Sequence, residues 1–220
     1  MNEVLTIIFL IIGAYLLGSI PSAVWIGRLF FNVDPRRHGS GNAGATNVLR
    51  LLGTKAALPV FAIDAAKGYA AVMLSWFSTL APIDVSCQFS EPFINLRIAL
   101  MICAILGHIF PIFASFRGGK GVATIAGCLI AIAPVPLACS FVVFVVFWSI
   151  SHYVSLGSLT AAISFPLWVV VKYIIVGEYI SPTMVIFSLV VASVMIFMHR
   201  ANIKRLREHT EGKTYLFKKK

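Results

Sequence analysis

The stretch VLTIIFLIIGAYLLGSIPSAVWIGRLFF, Val4–Phe31, is apolar almost from end to end and is long enough to cross a lipid bilayer. It lacks the basic n-region and the small-residue cleavage site of a signal peptide, so it predicts a retained membrane span. The rest of the chain is similar: 59% of its 220 residues are hydrophobic and 12% are charged, with a mean hydropathy of +0.92. A soluble domain carries about 25% charged residues. We therefore expect an all-α, polytopic integral membrane bundle that forms a single membrane-embedded domain over residues 1–220.

Further apolar stretches predict spans at Lys55–Leu80, Leu96–Phe113, Leu156–Val176 and Pro182–Met198. The stretch Val122–Ile150 is too long for one ordinary span, and it contains Pro134, which breaks a helix. A single crossing gives six spans, and a turn near Pro134 gives seven. Seven spans put nearly all arginines and lysines on one side, as in cytoplasmic segments. We favour about seven transmembrane helices, with the N-terminus outside and the C-terminus cytoplasmic, although two of the helices would be short.

The net charge of +10 does not indicate nucleic-acid binding, because the basic residues gather between spans and at the C-terminal end. The acidic Asp84 and Glu178 fall on the opposite side of the membrane. The four cysteines are scattered and form no C-x-x-C pair, so neither a zinc site nor a disulfide framework is indicated. Only Cys87, in a polar loop, is a candidate for a reactive thiol.

A glycine loop, GSGNAGATNVLRLLG at Gly39–Gly53, interrupts the apolar pattern. Glycines let backbone N–H groups converge on an anion, and serine, asparagine, threonine and arginine add side-chain donors. The alternative is a flexible, solubilising loop. Such a loop needs neither this density of donors nor Arg50 inside the apolar stretch Val48–Leu52. The glycine loop therefore predicts a phosphate-handling site at the membrane surface.

An FRGGKG loop, Phe116–Gly121, lies between two apolar stretches. It is not a Walker A loop, because Ala114 occupies the first glycine position and Gly121 follows Lys120. Its glycines still let backbone amides approach an oxyanion, while the lysine ammonium neutralises the charge. A helix that starts at Val122 would attract the same anion. The alternative is an ordinary basic anchor of the cytoplasmic side.

A third polar segment, HRANIKRL at His199–Leu206, follows the last predicted span. If this segment is helical, His199 and Asn202 share one face at positions i and i+3. Its basic side chains can contact anionic headgroups. The alternative is a basic C-terminal anchor, which is the interpretation we prefer for the lysines at 218–220.

The ionisable residues inside the predicted spans include Asp64, Lys67 and His108. Asp64 and Lys67 are at positions i and i+3 and can form an ion pair. Intramembrane charges are often functional, but a structural pair that braces the site is an equally good interpretation. For His108 we favour a structural hydrogen bond.

Several catalytic signatures are missing from the sequence. It contains no H-x-x-x-x-D acyltransferase motif, no G-x-S-x-G elbow, no H-E-x-x-H and no acidic metal cluster. A covalent serine enzyme and a metal enzyme are therefore disfavoured. Hydrogen-bond donors and positive charge suit phosphate substrates and a developing negative charge. A phosphate transporter would share these features, but it would tend to place them near the midplane in repeated halves. A structural membrane subunit would leave the loop chemistry unexplained.

Five motifs appear in order: GSIPSAVWIGR, RRHGSGNAGATNVLRLLG, DAAKG, GHIFPIFASFRGGKGVAT and HRANIKRL. Together they resemble the bacterial acyl-phosphate:glycerol-3-phosphate acyltransferase family over nearly the whole chain. The resemblance implies a seven-span enzyme of the bacterial cytoplasmic (inner) membrane, with its active site facing the cytoplasm. It would transfer an acyl chain from acyl phosphate to the 1-hydroxyl of sn-glycerol 3-phosphate, the first acylation step of phospholipid synthesis. The products would be lysophosphatidic acid and phosphate.

The resemblance also implies residue roles, with Ser40, Lys120 and His199 as catalytic residues and Gly41, Asn42, Thr46, Arg50, Gly119 and Asn202 as substrate-binding residues. Arg50 and Lys120 would hold the glycerol phosphate. The remaining donors of the loops would hold phosphate oxygens or the oxyanion. His199 would orient the hydroxyl or act as base, but we favour a donor phosphate oxygen as the proton acceptor. No cofactor, metal or covalent acyl-enzyme is implied, and a soluble acyl-phosphate synthase can hand over the donor.

Overall fold

The computed structural model describes residues 2–82, 90–176 and 181–214, and the regular elements in these ranges are all helices. The chain divides into two compact units, Met1–Ile132 and Ala133–Lys220. A single domain over residues 1–220 stays a prediction. The predictions about Asp84, Cys87, Glu178 and the lysines at 218–220 lie outside the described residues.

The described helices of the first unit are α1 (Glu3–Gly18), α2 (Ser22–Phe31), α3 (Ala45–Leu52), α4 (Thr54–Met73), α5 (Glu91–Ile109) and α6 (Val122–Ile132). The first predicted span is thus two helices separated by a break at Pro21, which cannot continue the hydrogen-bond ladder of α1. The break frees backbone carbonyl groups that need partners in an apolar surrounding. One of them, the Ile20 carbonyl, accepts a hydrogen bond from Lys67 Nζ at 2.7 Å. The lysine inside the second span therefore stabilises the break in the first.

Glycines on the facing sides of α4 and α6 bring these two helices into close contact. A Cβ atom at Gly68 of α4 would overlap the Thr124 carbonyl oxygen of α6, and one at Gly127 of α6 would overlap the Ala65 carbonyl oxygen of α4. The contact is therefore reciprocal, as in other small-residue helix interfaces of membrane proteins. These contacts place α6, which follows the FRGGKG loop, firmly against α4.

Helix α6 has 11 residues, which span about 16 Å, shorter than a bilayer core of about 30 Å. Its last carbonyl groups need partners, because a helix leaves four of them unsatisfied. Arg97 of α5, which is 3% exposed, supplies one: its Nη2 donates to the Ala131 carbonyl at 2.6 Å. The guanidinium also lies over the Phe93 ring, 5.3 Å from its centroid. A buried arginine thus caps the short helix.

The described helices of the second unit are α7 (Pro134–Ser151), α8 (Val154–Val176), α9 (Pro182–Met198) and α10 (Arg200–Arg207). Helix α10 is bent by 57° from α9 at His199. The segment after α10 returns to the turn between α7 and α8. There the Thr214 N–H donates to the His152 carbonyl, and Trp148 Nε1 donates to the Thr214 carbonyl, each at 2.7 Å.

In the described part of the chain, five helical segments are long and apolar enough to cross a membrane, or six if α9 and α10 count as one bent span. The predicted helical membrane protein is therefore confirmed. The break predicted near Pro134 is also present, since α6 ends at Ile132 and α7 begins at Pro134. The second and third spans start earlier than predicted, with α4 at Thr54 and α5 at Glu91. Seven spans and the orientation of the termini stay predictions.

Candidate active site

The glycine loop is held in place by one buried side chain, that of Asn47 in α3. Its Oδ1 accepts a hydrogen bond from the Ser40 N–H at 3.0 Å. Its Nδ2 lies within hydrogen-bond distance of the carbonyl groups of Pro35, His38 and Asn42, at 2.9, 3.1 and 3.1 Å. Asn47 is 2% exposed, so its own side chain is shielded from water. A single amide therefore fixes the path of the chain around Ser40.

Gly39 is required by the same arrangement. Its φ is +61°, and a Cβ atom there would lie 2.5 Å from Asn47 Oδ1. A side chain at this position would be strained and would collide with the amide that orders the loop. The first glycine of the motif thus serves the fold of the loop, while the exposed Ser40 that follows it is available to a substrate.

Helix α3 presents two of the predicted substrate-binding side chains on one face. Thr46 and Arg50 are four residues apart, so they lie on neighbouring turns. Val48 on another face is fully buried in a cluster formed with α2 and α4, which includes Val24 and Val60. The amphipathic pattern of α3 thus anchors one face and leaves Arg50 exposed.

The FRGGKG loop folds back on the C-terminal end of α5. The Gly118 N–H donates to the Ile109 carbonyl at 3.1 Å, and the Gly119 N–H donates to the His108 carbonyl at 3.2 Å. The Gly41 N–H of the glycine loop similarly donates to the His38 carbonyl at 3.1 Å. We predicted that glycine amides would face the substrate anion, but these three are engaged within the protein. The loops therefore offer their side chains to a substrate more readily than these amides.

The structure brings the two loops together within the first unit. Arg36, just before the glycine loop, donates from Nη1 to the Ala114 carbonyl at 2.8 Å. A Cβ atom at Gly119 would lie 2.8 Å from the Ala43 carbonyl oxygen and would overlap His108 Nε2. The two loops thus approach each other closely at Gly119. Lys120, which is half-buried, follows it directly.

A buried polar cluster lies beneath this junction. Asp64 forms an ion pair with Lys67 at 2.7 Å and accepts a hydrogen bond from the Ser22 hydroxyl at 2.8 Å. His108 Nδ1 is 3.1 Å from the Thr124 hydroxyl and 3.5 Å from Asp64 Oδ1. The predicted ion pair is therefore confirmed, and so is a hydrogen bond of His108.

A small cavity of about 10 Å³ separates this buried cluster from the two loops, which is on the order of one water molecule. Its lining residues include Ala43 of the glycine loop, Gly119 of the FRGGKG loop, and Asp64 and His108 of the cluster. The buried charges thus support the floor of the site and pair with each other, as buried charges must.

The third predicted segment lies in the second unit, where His199 directly precedes α10 and is 3% exposed. Its Nδ1 is 2.8 Å from the Met195 carbonyl oxygen. Because a carbonyl can only accept, Nδ1 carries the proton of this bond. In the neutral ring Nε2 is then unprotonated and can accept a proton.

Glu211, which sequence reasoning missed, organises the same segment. It is 6% exposed and accepts hydrogen bonds from Asn202 Nδ2 at 2.9 Å, Ser155 Oγ at 3.0 Å and Arg205 Nε at 2.6 Å. Asn202 is thereby held on α10 with its amide oriented. In the sequence Glu211 is one of two acidic residues that follow the basic helix, with Glu208, and nothing there distinguishes it.

Comparison with known proteins identifies the family. The family model described as glycerol-3-phosphate acyltransferase matches residues 8–209. The chain belongs to the glycerol-3-phosphate acyltransferase family. Among curated relatives, the glycerol-3-phosphate acyltransferase of Chlorobaculum tepidum is 42% identical, and the alignment covers 95% of this chain and 97% of the relative. That of Salinibacter ruber is 40% identical, with 97% and 93% covered.

Two crystal structures of PlsY (YgiH), an integral membrane glycerol 3-phosphate acyltransferase, are also similar to this acyltransferase. The glycerol 3-phosphate form matches with a TM-score of 0.79 at 35% identity, and the lysophosphatidic acid form with a TM-score of 0.76 at 34%. Each match covers 94% of both chains. The resemblance inferred from the five motifs is therefore confirmed. The protein is an integral membrane acyltransferase.

Proposed function

We propose that this acyltransferase moves an acyl chain from acyl phosphate to the 1-hydroxyl of sn-glycerol 3-phosphate, which gives lysophosphatidic acid and inorganic phosphate. The observation that carries the proposal is the junction of the two loops in the first unit. The glycine loop supplies Ser40, Asn42, Thr46 and Arg50 and the FRGGKG loop supplies Lys120, and the two loops approach each other at Ala43 and Gly119. Two phosphate groups take part in the proposed reaction, and this set of side chains suits both of them.

The proposed roles follow from the chemistry of each side chain. Arg50 binds the glycerol phosphate through its planar fork, and Lys120 neutralises it as a point charge. Ser40, Asn42 and Thr46 donate to the phosphate of the donor or to the oxyanion of the tetrahedral intermediate. Acyl phosphate already has a good leaving group, so the protein contributes mainly positioning and charge stabilisation.

The bond changes balance without a further reactant. The 1-hydroxyl oxygen attacks the carbonyl carbon of acyl phosphate, and an ester C–O bond forms. The bond between the carbonyl carbon and the phosphate oxygen then breaks, and phosphate leaves. We assign the hydroxyl proton to an oxygen of the departing phosphate.

His199 takes part by orienting the hydroxyl, or as the base in its place, since its bond to Met195 leaves Nε2 as the accepting nitrogen. We include Asn202 in the substrate-binding set on the basis of the sequence motif, and Glu211 as the residue that positions it.

We further propose a seven-span arrangement in the bacterial cytoplasmic membrane, with the N-terminus outside and the active site facing the cytoplasm. The charge distribution supports it, because the basic loops and the basic C-terminal segment then share one side. Glycerol 3-phosphate would reach the site from the cytoplasm, and a soluble acyl-phosphate synthase would hand over the donor there. The acyl chain would extend between helices.

The experiment that tests the proposal is an assay of the purified full-length protein with a choice of donors. We expect lysophosphatidic acid and phosphate to form in equal amounts from acyl phosphate and glycerol 3-phosphate, with and without a metal chelator. Turnover that requires acyl-CoA or acyl-carrier protein would overturn the donor assignment. Loss of turnover with the chelator would overturn the metal-independent mechanism.

A further inference from the structure

A second basic pocket lies beside the candidate active site, in the first unit. It has a volume of about 240 Å³, large enough for a phosphate group. It lies where α2 ends and where the FRGGKG loop begins. Its lining residues are Arg28, Asp34, Arg36, Arg37, Ser115 and Arg117. None of the residues that we assign to substrate binding or catalysis lines it.

Two of the four arginines are held by the single carboxylate of the pocket. Arg36 binds Asp34 through Nε at 3.0 Å and Nη2 at 2.9 Å, and Arg28 Nη2 binds it at 2.8 Å. The hydrogen bonds from Arg36 hold the pKa of the Asp34 carboxyl well below its ordinary value, so the carboxylate is ionised. Arg36 also donates to the Ala114 carbonyl, as described above. These two guanidinium groups form a fixed wall.

The other two arginines of the pocket, Arg37 and Arg117, add two positive charges that Asp34 does not pair with. Within residues 2–82, 90–176 and 181–214, no hydrogen bond or ion pair is formed by the side chains of Arg37 and Arg117, and both are exposed. The hydroxyl of Ser115 adds a donor beside them. Ser115 and Phe116 both have positive φ, +55° and +57°, which is uncommon for residues with side chains. Guanidinium groups with unused donors bind phosphate oxygens bidentately.

The surroundings of the pocket indicate a lipid as the source of the phosphate. Candidate membrane spans end at Phe31 and at Ala114, and the pocket residues flank both ends. Large apolar side chains next to the pocket residues in the chain are more than half exposed: Leu29, Phe30, Phe113 and Phe116. Positive charge bordered by exposed apolar side chains at the end of a span matches an anionic headgroup above its acyl chains.

We propose that this pocket binds the phosphate headgroup of an anionic membrane lipid, at a site separate from the acyl-transfer site. Arg37 and Arg117 are its ligands, Ser115 contributes a hydrogen bond, and the pair of Asp34 and Arg36 keeps the wall in shape. The proposal does not depend on the identity of the acyl donor, because a lipid headgroup would be bound whether or not turnover occurs.

Native mass spectrometry of the full-length protein, delipidated and then titrated with phosphatidic acid or phosphatidylcholine, tests the proposal. We expect preferential retention of phosphatidic acid. The double variant Arg37→Gln/Arg117→Gln should lower that affinity by at least about tenfold, because two charge-assisted contacts are lost. The control Lys55→Gln/Lys204→Gln removes the same charge at exposed positions outside the pocket and should change it by less than about twofold. An equal loss in the control would show general membrane electrostatics and overturn the proposal.

Two further measurements keep the proposal open to refutation if the double variant folds poorly. Arg117→Lys retains the positive charge but removes the planar guanidinium that can bind phosphate through two N–H groups. We therefore expect the affinity for phosphatidic acid to fall several-fold, a loss that a simple basic anchor would not show. In Lys120→Ala the lipid should bind as in the wild type, because that lysine belongs to the other site. Full displacement of the lipid by inorganic phosphate at comparable concentrations would make this a site for water-soluble phosphate and overturn the assignment to a lipid.

Discussion

At the scale of single residues, Asn47 forms two hydrogen bonds within the glycine loop, to Ser40 and Asn42, and two to the residues just before it, Pro35 and His38. Asn47→Ala removes the hydrogen bonds to the Ser40 N–H and to the carbonyl groups of Pro35, His38 and Asn42, at a cost of about 1–3 kcal/mol for each polar group that then has no partner and that water cannot reach. Because the path around Ser40 depends on these bonds, we expect kcat/KM to fall at least about tenfold. A steady-state assay of the purified variant measures this.

Asn95→Ala is the matched control for Asn47, since it makes the same change at an exposed position of α5. Its kinetics should match the wild type. Asn47→Asp keeps the acceptor for the Ser40 amide but loses the donors to three carbonyl groups, so it should not restore activity. Kinetics of Asn47→Ala within about twofold of the wild type would contradict the positioning role.

Replacing Lys120 tests whether the positive charge of the FRGGKG loop takes part in the reaction. Lys120→Ala should lower kcat/KM by about 10²–10³-fold, the usual effect of removing one group that stabilises developing charge. Its unfolding temperature should stay close to that of the wild type. Lys55→Ala, an exposed lysine in the same unit, serves as control. If both variants turn over at similar rates, Lys120 has no part in the reaction.

The chemically distinctive side chains proposed for the site stand out in the sequence, whereas the buried residues that order the glycine loop and α10 do not. Ser40, Arg50 and Lys120 attract attention because donors and charges are out of place in an apolar chain. Asn47 and Glu211 look like ordinary polar residues until the fold shows which groups they reach. Their partners lie in other segments or on a helix face whose orientation depends on tertiary packing.

At the scale of helices, proline alone did not decide where a helix ends. Pro21 and Pro134 lie at helix boundaries, whereas Pro59 and Pro166 lie inside α4 and α8. The sequence therefore predicted the helical regions well and their boundaries less well. The close contact of α4 with α6 was not predicted at all, because a glycine inside an apolar stretch does not reveal which backbone it faces.

The contact of α4 with α6 has a testable consequence for stability. Alanine is the better helix former by about 1 kcal/mol, so Gly→Ala in a helix stabilises unless the new methyl group collides. At Gly127 the methyl group would overlap the Ala65 carbonyl oxygen, so we expect a net loss of about 1–3 kcal/mol from overpacking. Thermal unfolding in detergent micelles shows whether Gly127→Ala lowers or raises the stability of the protein.

Gly13→Ala is the control for Gly127→Ala, because the nearest atom to its Cβ would be a flexible one, Leu74 Cδ1, at 3.3 Å. That variant should be neutral or slightly more stable. A Gly127→Ala protein as stable as the wild type would show that α4 and α6 do not approach each other this closely.

At the scale of the whole molecule, composition predicted the membrane class, and the motifs predicted the family. The number of spans could not be settled in this way, because α6 is apolar but has only 11 residues. Hydropathy measures whether a segment prefers lipid, whereas crossing also requires length or partners for the helix ends. Arg97 supplies such a partner at the Ala131 carbonyl, near the C-terminal end of α6.

Labelling can test directly whether the chain has six or seven spans, because the two numbers place the C-terminal helix on opposite sides of the membrane. After replacement of the native cysteines, we expect Val135→Cys, at a position 57% exposed, to react with a membrane-impermeant maleimide added to intact cells. Lys204→Cys should react only after the membrane is made permeable, because seven spans place α10 in the cytoplasm.

The opposite pattern, with Lys204→Cys labelled from outside and Val135→Cys protected, would mean six spans. It would also put the basic C-terminal helix on the side where lysines and arginines are scarce in membrane proteins. Each variant should first be shown to retain acyltransferase activity, so that the labelling reports the folded protein.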